Sequence, residues 1–186
     1  HACALLDNGQ VQCWGSGLHG ATGYDQTAVD YGSSSAASDG GAVPTLGGVA
    51  AIALACGDAF TCLLLQGGVV QCFGRGADGR TGHGTSADNG DSPGTPATQH
   101  GAVPTVGGEA AIAISAGQAH ACVLLSSGGV QCWGAGADGR LGYGNEDSIG
   151  DDEAADTGGL VPRFGGVPVV SISAGAAHSC AVLVTG

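Results

Sequence analysis

Eight cysteines and six histidines offer the most chemistry in this 186-residue chain. Six of the cysteines fall in pairs ten positions apart: Cys3 with Cys13, Cys62 with Cys72, and Cys122 with Cys132. Such a pair can close a disulfide, ligate a soft metal, or act as two small buried hydrophobes. His1, His120 and His178 each precede a cysteine by two residues, so on an extended strand the imidazole and the sulfur share a face. His120, Cys122 and Cys132 therefore present three ligands of the kinds zinc takes. The middle copy argues against zinc, because Phe60 stands where the histidine would be, no C-x-x-C occurs, and no fourth ligand holds a fixed place. His120 and His178 then read as packed, hydrogen-bonded histidines, and no metal is expected. Two thiols are left unpaired. Cys56 stands where other copies have Ala116 and Ala174, and a partner for Cys180 would fall ten residues on, beyond Gly186.

Carboxylates cluster once, at Glu146, Asp147, Asp151, Asp152, Glu153 and Asp156. Their spacing matches no calcium loop, so this is a solvated connection and, with the loops at 25–40 and 84–100, the expected contact surface. Ser115, Ser173 and His120 have acids near them in sequence, yet nothing has the pattern of a nucleophile elbow, a phosphate loop or paired catalytic carboxylates. Neither an enzyme nor a cofactor is expected.

The elements that position these residues repeat. HACALLDNGQVQCWG (1–15) returns as FTCLLLQGGVVQCFG (60–74) and HACVLLSSGGVQCWG (120–134), and starts again at His178. A second block keeps the same phase: GAVPTLGG at 41, GAVPTVGG at 101 and GLVPRFGG at 159, each followed by an apolar run such as AAIAISAG. Two blocks in one phase define units of 1–59, 60–119 and 120–177, with a fourth starting at 178–186, all within a single repeat domain 1–186. Within a unit the runs 112–116, 120–125 and 130–133 read as strands.

Between the last two strands lie three-residue loops, Asp7-Asn8-Gly9, Gln66-Gly67-Gly68 and Ser126-Ser127-Gly128. Glycine in third place suits a type I turn followed by a left-handed residue, which fixes the register. Counting outward pairs Leu6 with Gln10, Leu5 with Val11 and Cys3 with Cys13. Alternation makes the cysteine pair a non-hydrogen-bonded one, with Cα atoms about 4.5 Å apart, close enough for a disulfide. The same count puts Leu5/Val11, Leu64/Val70 and Leu124/Val130 on the sulfur face, the face that packs between neighbouring sheets. Reduced, buried pairs remain the alternative to disulfides.

Composition suits many short strands joined by tight turns: 38 glycines, 43% apolar residues and 11% charged ones. Sixteen acids against four arginines and no lysine give a net charge of −12, which repels phosphate and so excludes nucleic acid and anionic membrane surfaces as partners. No apolar run is long enough to insert in a membrane. Both ends fall inside a repeat, as expected of a segment of a longer protein.

The H-x-C-x-L-L strand, the turn glycine, V-Q-C-W-G, GAGADGRLGYGN (134–145) and IGDDE (149–153) together resemble regulator of chromosome condensation repeats. That resemblance implies an all-β fold, a partial β-propeller of about three four-stranded blades from a ring that usually has seven. Gly17, Gly76 and Gly136 replace the family's common asparagine, and Ala21, Arg80 and Arg140 replace its glutamine. The cysteine pairs resemble those of bacterial and algal relatives. Where the ultraviolet-B photoreceptor branch carries its G-W-R-H-T tryptophan, this chain has Asp58, Gln118 and Ala176, so light sensing is not implied for this segment.

The resulting expectation is a non-catalytic scaffold that binds a protein or glycan and, through its open ends, further blades of the parent chain or a second copy. Paired cysteines place it outside the cell or on its surface, with the cytoplasm as the alternative. The family resemblance also implies guanine nucleotide exchange on a small GTPase as the alternative function.

Overall fold

The computed structural model describes residues 1–25, 29–33, 35–162 and 166–186, so Arg163, Phe164 and Gly165 of the GLVPRFGG block and four residues of the 25–40 loop lie outside the description. Among the described residues, ten strands form four antiparallel sheets. β1 (Ala2–Leu5) pairs with β2 (Val11–Trp14); β3 (Ala51–Cys56), β4 (Phe60–Leu65) and β5 (Val70–Gly74) form a second sheet. β6 (Ala111–Ala116), β7 (His120–Leu125) and β8 (Val130–Gly134) form a third, and β9 (Val169–Ala174) with β10 (Ser179–Leu183) a fourth. The sheets stack in chain order, β1 beside β3, β3 beside β6 and β6 beside β9, giving an all-β partial propeller. The second, third and fourth sheets run across a unit boundary drawn from the cysteine phase, since β3, β6 and β9 pair with the strand that follows the boundary.

The hairpin register is the one the turn dictates. Cys3 faces Cys13, Cys62 faces Cys72 and Cys122 faces Cys132. Gly9, Gly68 and Gly128 close the turns at φ of 80°, 81° and 77°, where any side chain would be strained. A Cβ at Gly68 would also lie 2.5 Å from that of Ala110.

The resemblance implies four strands per blade, whereas the two complete sheets have three. In place of the fourth, the outer edges of β2, β5 and β8 carry isolated contacts: Gly15, Gly74 and Gly134 bridge to Tyr31, Asn89 and Ile149, and Val43, Val103 and Val161 each donate one backbone hydrogen bond, to Val11, Val70 and Val130. Pro44, Pro104 and Pro162 follow and have no N–H to continue the ladder, so pairing stops after one bond.

The core occupies the seams between sheets. All six residues of β4, all six of β7, and every residue of β5 and β8 are buried. Two buried glutamines each fasten one seam. Gln71 accepts from the Leu46 N–H (2.8 Å) and donates to the carbonyls of Pro44 and Ala97. Gln131 does the same to Val106 (2.8 Å) and Pro104 (2.9 Å) of the preceding blade. A buried amide with all these partners fixes the position of one blade on the next, because leaving any of them unpaired would cost free energy.

Candidate functional site

The acidic loop is anchored on the blade before it. Its start packs on the preceding blade so closely that a Cβ on Gly79 would lie 2.4 Å from the Asp151 nitrogen. Backbone bonds from Gly84 to Gly150 and from Ala155 to Gly82, with a bridge between His83 and Ala154, tie it down further. The glycines that depart from the family pattern have a steric reason at this end. A Cβ on Gly136 would lie 1.8 Å from the Asp147 carbonyl oxygen, and one on Gly76 1.9 Å from that of Ala87.

Within this fixed backbone the acids divide. Glu146, Asp147 and Asp152 are exposed, while Asp151 and Glu153 are half-buried. Glu153 turns inward to accept the Gly150 N–H (3.2 Å), and its hydrogen bond with Asp152 raises its carboxyl above the ordinary range. Tyr143 closes the loop from below, accepting the Cys132 N–H (3.0 Å) with its hydroxyl 3.1 Å from the Gly159 carbonyl. Tyr24 makes the same pair of contacts at Cys13 and Gly41, and His83 takes the place in the middle blade with Nε2 3.3 Å from the Gly101 carbonyl. Burial lowers the His83 pKa to about 4.

Beside the acidic loop lies a cleft of about 350 Å³ between the third blade and the last sheet, lined by residues including Cys132, Arg140, Leu141, Val161, Ile172 and Leu183. Its counterparts at the other seams are filled by aromatic rings. Phe73 lies against Gly23 and Val43, and Trp133 against Gly82 and Val103, so that a Cβ at either glycine would meet the ring within 3 Å. Trp133 Nε1 donates to the Arg80 carbonyl (3.2 Å). At Gly142, the equivalent glycine, only Val161 is near. The rim glycines Gly139 and Gly142 and Asp138 are shared with a shallower hollow that reaches Asn145 and Glu146. Cleft and acidic loop thus form one surface. The sequence points to the loop through its charge. It does not point to the cleft, whose only sequence signal is that Leu141 and Val161 repeat positions that elsewhere flank an aromatic slot.

The cysteines sit as three hairpin disulfides, Cys3–Cys13, Cys62–Cys72 and Cys122–Cys132, with Cα separations of 4.0, 4.1 and 4.1 Å. Cys56 is free and half-buried, and burial raises its thiol pKa; Cys180 is free and exposed. His120 is fully buried, with Nε2 2.9 Å from Ser179 Oγ of the next sheet. The single Ser179 proton goes to the Arg140 carbonyl, so His120 donates from Nε2 and its Nδ1 is left without a partner. Burial, then the charges of Arg140 and His178, lower its pKa to about 4. His1 repeats this contact at Thr61 Oγ1 (2.8 Å), which in turn donates to the Ala21 carbonyl. Phe60 in the middle blade stands at a position whose partner, Ala121, has no hydroxyl. His178 is exposed on the last described sheet. Ser115 donates nothing to a catalytic set either; its Oγ accepts the Ala174 N–H (2.9 Å). No helix among the described residues is long and apolar enough to cross a membrane.

Stacked antiparallel sheets sewn by cross-seam glutamines and aromatics define a propeller-type repeat array. The chain belongs to the regulator of chromosome condensation (RCC1) repeat family, whose models match residues 1–21, 51–80 and 111–140 and, in a second form, 127–182. The ultraviolet-B receptor UVR8 of Arabidopsis thaliana is 31% identical over 98% of this chain and 37% of its own length. The human E3 ubiquitin-protein ligase HERC2 is 29% identical over 95% of the chain and 3% of its own length. Among solved structures, Prp20p of Saccharomyces cerevisiae, a protein with binding properties toward Gsp1p and histones, superposes with a TM-score of 0.70 at 17% identity, over 96% of this chain and 40% of that one. Human WBSCR16 gives 0.69 at 18% identity, over 97% and 42%. The chain therefore spans well under half of each of these relatives.

Proposed function

We propose that this chain is a non-catalytic scaffold that holds a protein partner on its third blade. The observation that carries the reading is the acidic loop, whose backbone is fixed on the preceding blade and whose Glu146, Asp147 and Asp152 are exposed to solvent. A partner that meets these carboxylates with basic residues satisfies this feature. The three disulfides support a site of action in an oxidising compartment, outside the cell or on its surface.

Cross-linking in the native host, followed by mass spectrometry, tests this. Partner cross-links should map to residues around 138–153 and should disappear in a Glu146→Lys, Asp147→Lys, Asp152→Lys variant whose circular dichroism is unchanged. Cross-links confined to another face, or unaltered in the variant, overturn the reading. Nucleotide release from a small GTPase is expected to be unaffected by the chain, which separates this reading from the exchange-factor alternative.

A further inference from the structure

The first seam differs chemically from the others. Cys56 of the second blade stands against the Cys3–Cys13 pair of the first, where the following seams have Ala116 and Ala174. Ligand atoms of His1, Cys3 and Cys56 lie within 4.8 Å of one another, and Cys13 Sγ is bonded to Cys3. Thr61 Oγ1, fully buried, sits among them, 2.8 Å from His1 Nε2, 3.8 Å from Cys3 Sγ and 4.0 Å from Cys56 Sγ. Within one repeat the histidine and cysteine pair fall one ligand short of a closed tetrahedral site. Across this seam the neighbouring blade contributes the fourth.

We infer that the first seam is a redox-gated zinc site, formed by Cys3, Cys13, Cys56 and His1 once the Cys3–Cys13 disulfide is reduced. Three thiolates and an imidazole are a zinc donor set, with separations of roughly 3.3–3.8 Å between ligand atoms around Zn–S bonds of about 2.3 Å. His1, Cys3 and Cys56, already within 4.8 Å of one another, close by shifts of about 1 Å, and Cys13 joins them by swinging away from Cys3 once the bond between them opens. Oxidised, the pair has no thiolates to offer. A dithiol reductant takes the two electrons' worth of oxidation as its own disulfide and leaves two protein thiols. Zinc binding then displaces three protons, from Cys3, Cys13 and Cys56, and replaces the His1–Thr61 hydrogen bond with a metal–nitrogen bond. Either state joins the strands of the first sheet. Only the metal state also joins the first blade to the second, through Cys56. Soft thiolates select zinc over calcium and magnesium.

The test uses the full chain, reduced with a phosphine under anaerobic conditions and titrated with Co²⁺ and then Zn²⁺. One equivalent of Co²⁺ should bind with the visible ligand-field bands of a tetrahedral thiolate site and be displaced by Zn²⁺, while the oxidised chain binds none. Cys56→Ala keeps all six paired cysteines and should weaken binding at least about tenfold, as should His1→Ala. Ala174→Cys places the missing thiol beside Cys122, Cys132 and His120 at the third seam and should add a second equivalent. No uptake by the reduced chain, or uptake that Cys56→Ala leaves unchanged, as scattered thiols of an unfolded chain would give, overturns the site.

Discussion

β7 and β10 begin from the same place in the repeat, with HACVLL in one and SCAVL in the other, yet β7 is buried throughout and four of the five residues of β10 are exposed. The same contrast separates Leu64 and Leu124, 1% and 2% exposed, from Leu5 at 37%. Local residues do not account for it. Each blade strand is apolar on both faces, and a face becomes core only when a neighbouring sheet covers it, as in other stacked repeats whose stability resides in the interfaces. Inner seams therefore carry the stability of the molecule.

Truncating the aromatics breaks this comparison most sharply. Trp133→Ala empties a filled seam and should cost about 3–5 kcal/mol in denaturant unfolding, whereas Trp14→Ala, at a half-buried position on the first sheet, should cost well under half of that. Equal losses would show that the outer sheet is as well packed as the inner ones.

The disulfides come next. All three close loops of the same length, with a sequence separation of 10. In the chain-entropy model, replacing both cysteines of any one pair with alanine costs about 3 kcal/mol. Cys62/Cys72, fully buried, should exceed this through lost packing and Cys3/Cys13 should not. Unfolding of the double-alanine variants, pair by pair, measures the difference.

Acid should act on the buried histidines. His120 and His83 have folded pKa values of about 4, below the ordinary 6.5, so the unfolded chain takes up protons first as pH falls. Their stabilising contribution is complete above pH 6.5 and is lost progressively down to about pH 4. Allowing for screening by nearby solvent, the loss is about 2 kcal/mol per histidine. His120→Phe with Ser179→Ala, which copies the Phe60–Ala121 seam, should flatten this part of the stability–pH curve. An unchanged slope would assign the acid sensitivity to carboxylates.

Gln131→Leu gives the smallest effect. It leaves the Val106 N–H and the Pro104 carbonyl without partners and should cost about 2 kcal/mol, while Gln12→Leu, which has no described blade beyond it to fasten, should be close to neutral.

Much of this architecture is legible in the sequence because it is local. The period, the three-residue turns ending in Gly9, Gly68 and Gly128, and the strict alternation of a strand are enough to set Cys3 opposite Cys13, since turn geometry and the two-residue side-chain period leave one register. The acidic loop is equally visible through its charge. Other features are decided between blades. That Pro44, Pro104 and Pro162 end their pairing after one bond, that His120 is buried against Ser179, and that Cys56 of one blade meets Cys3 of another all depend on residues about 30 to 60 positions apart meeting at a seam. The rotation of one sheet on the next brings those residues together, and it is set by the summed packing and hydrogen bonding of whole faces, so no local pattern in the chain encodes it.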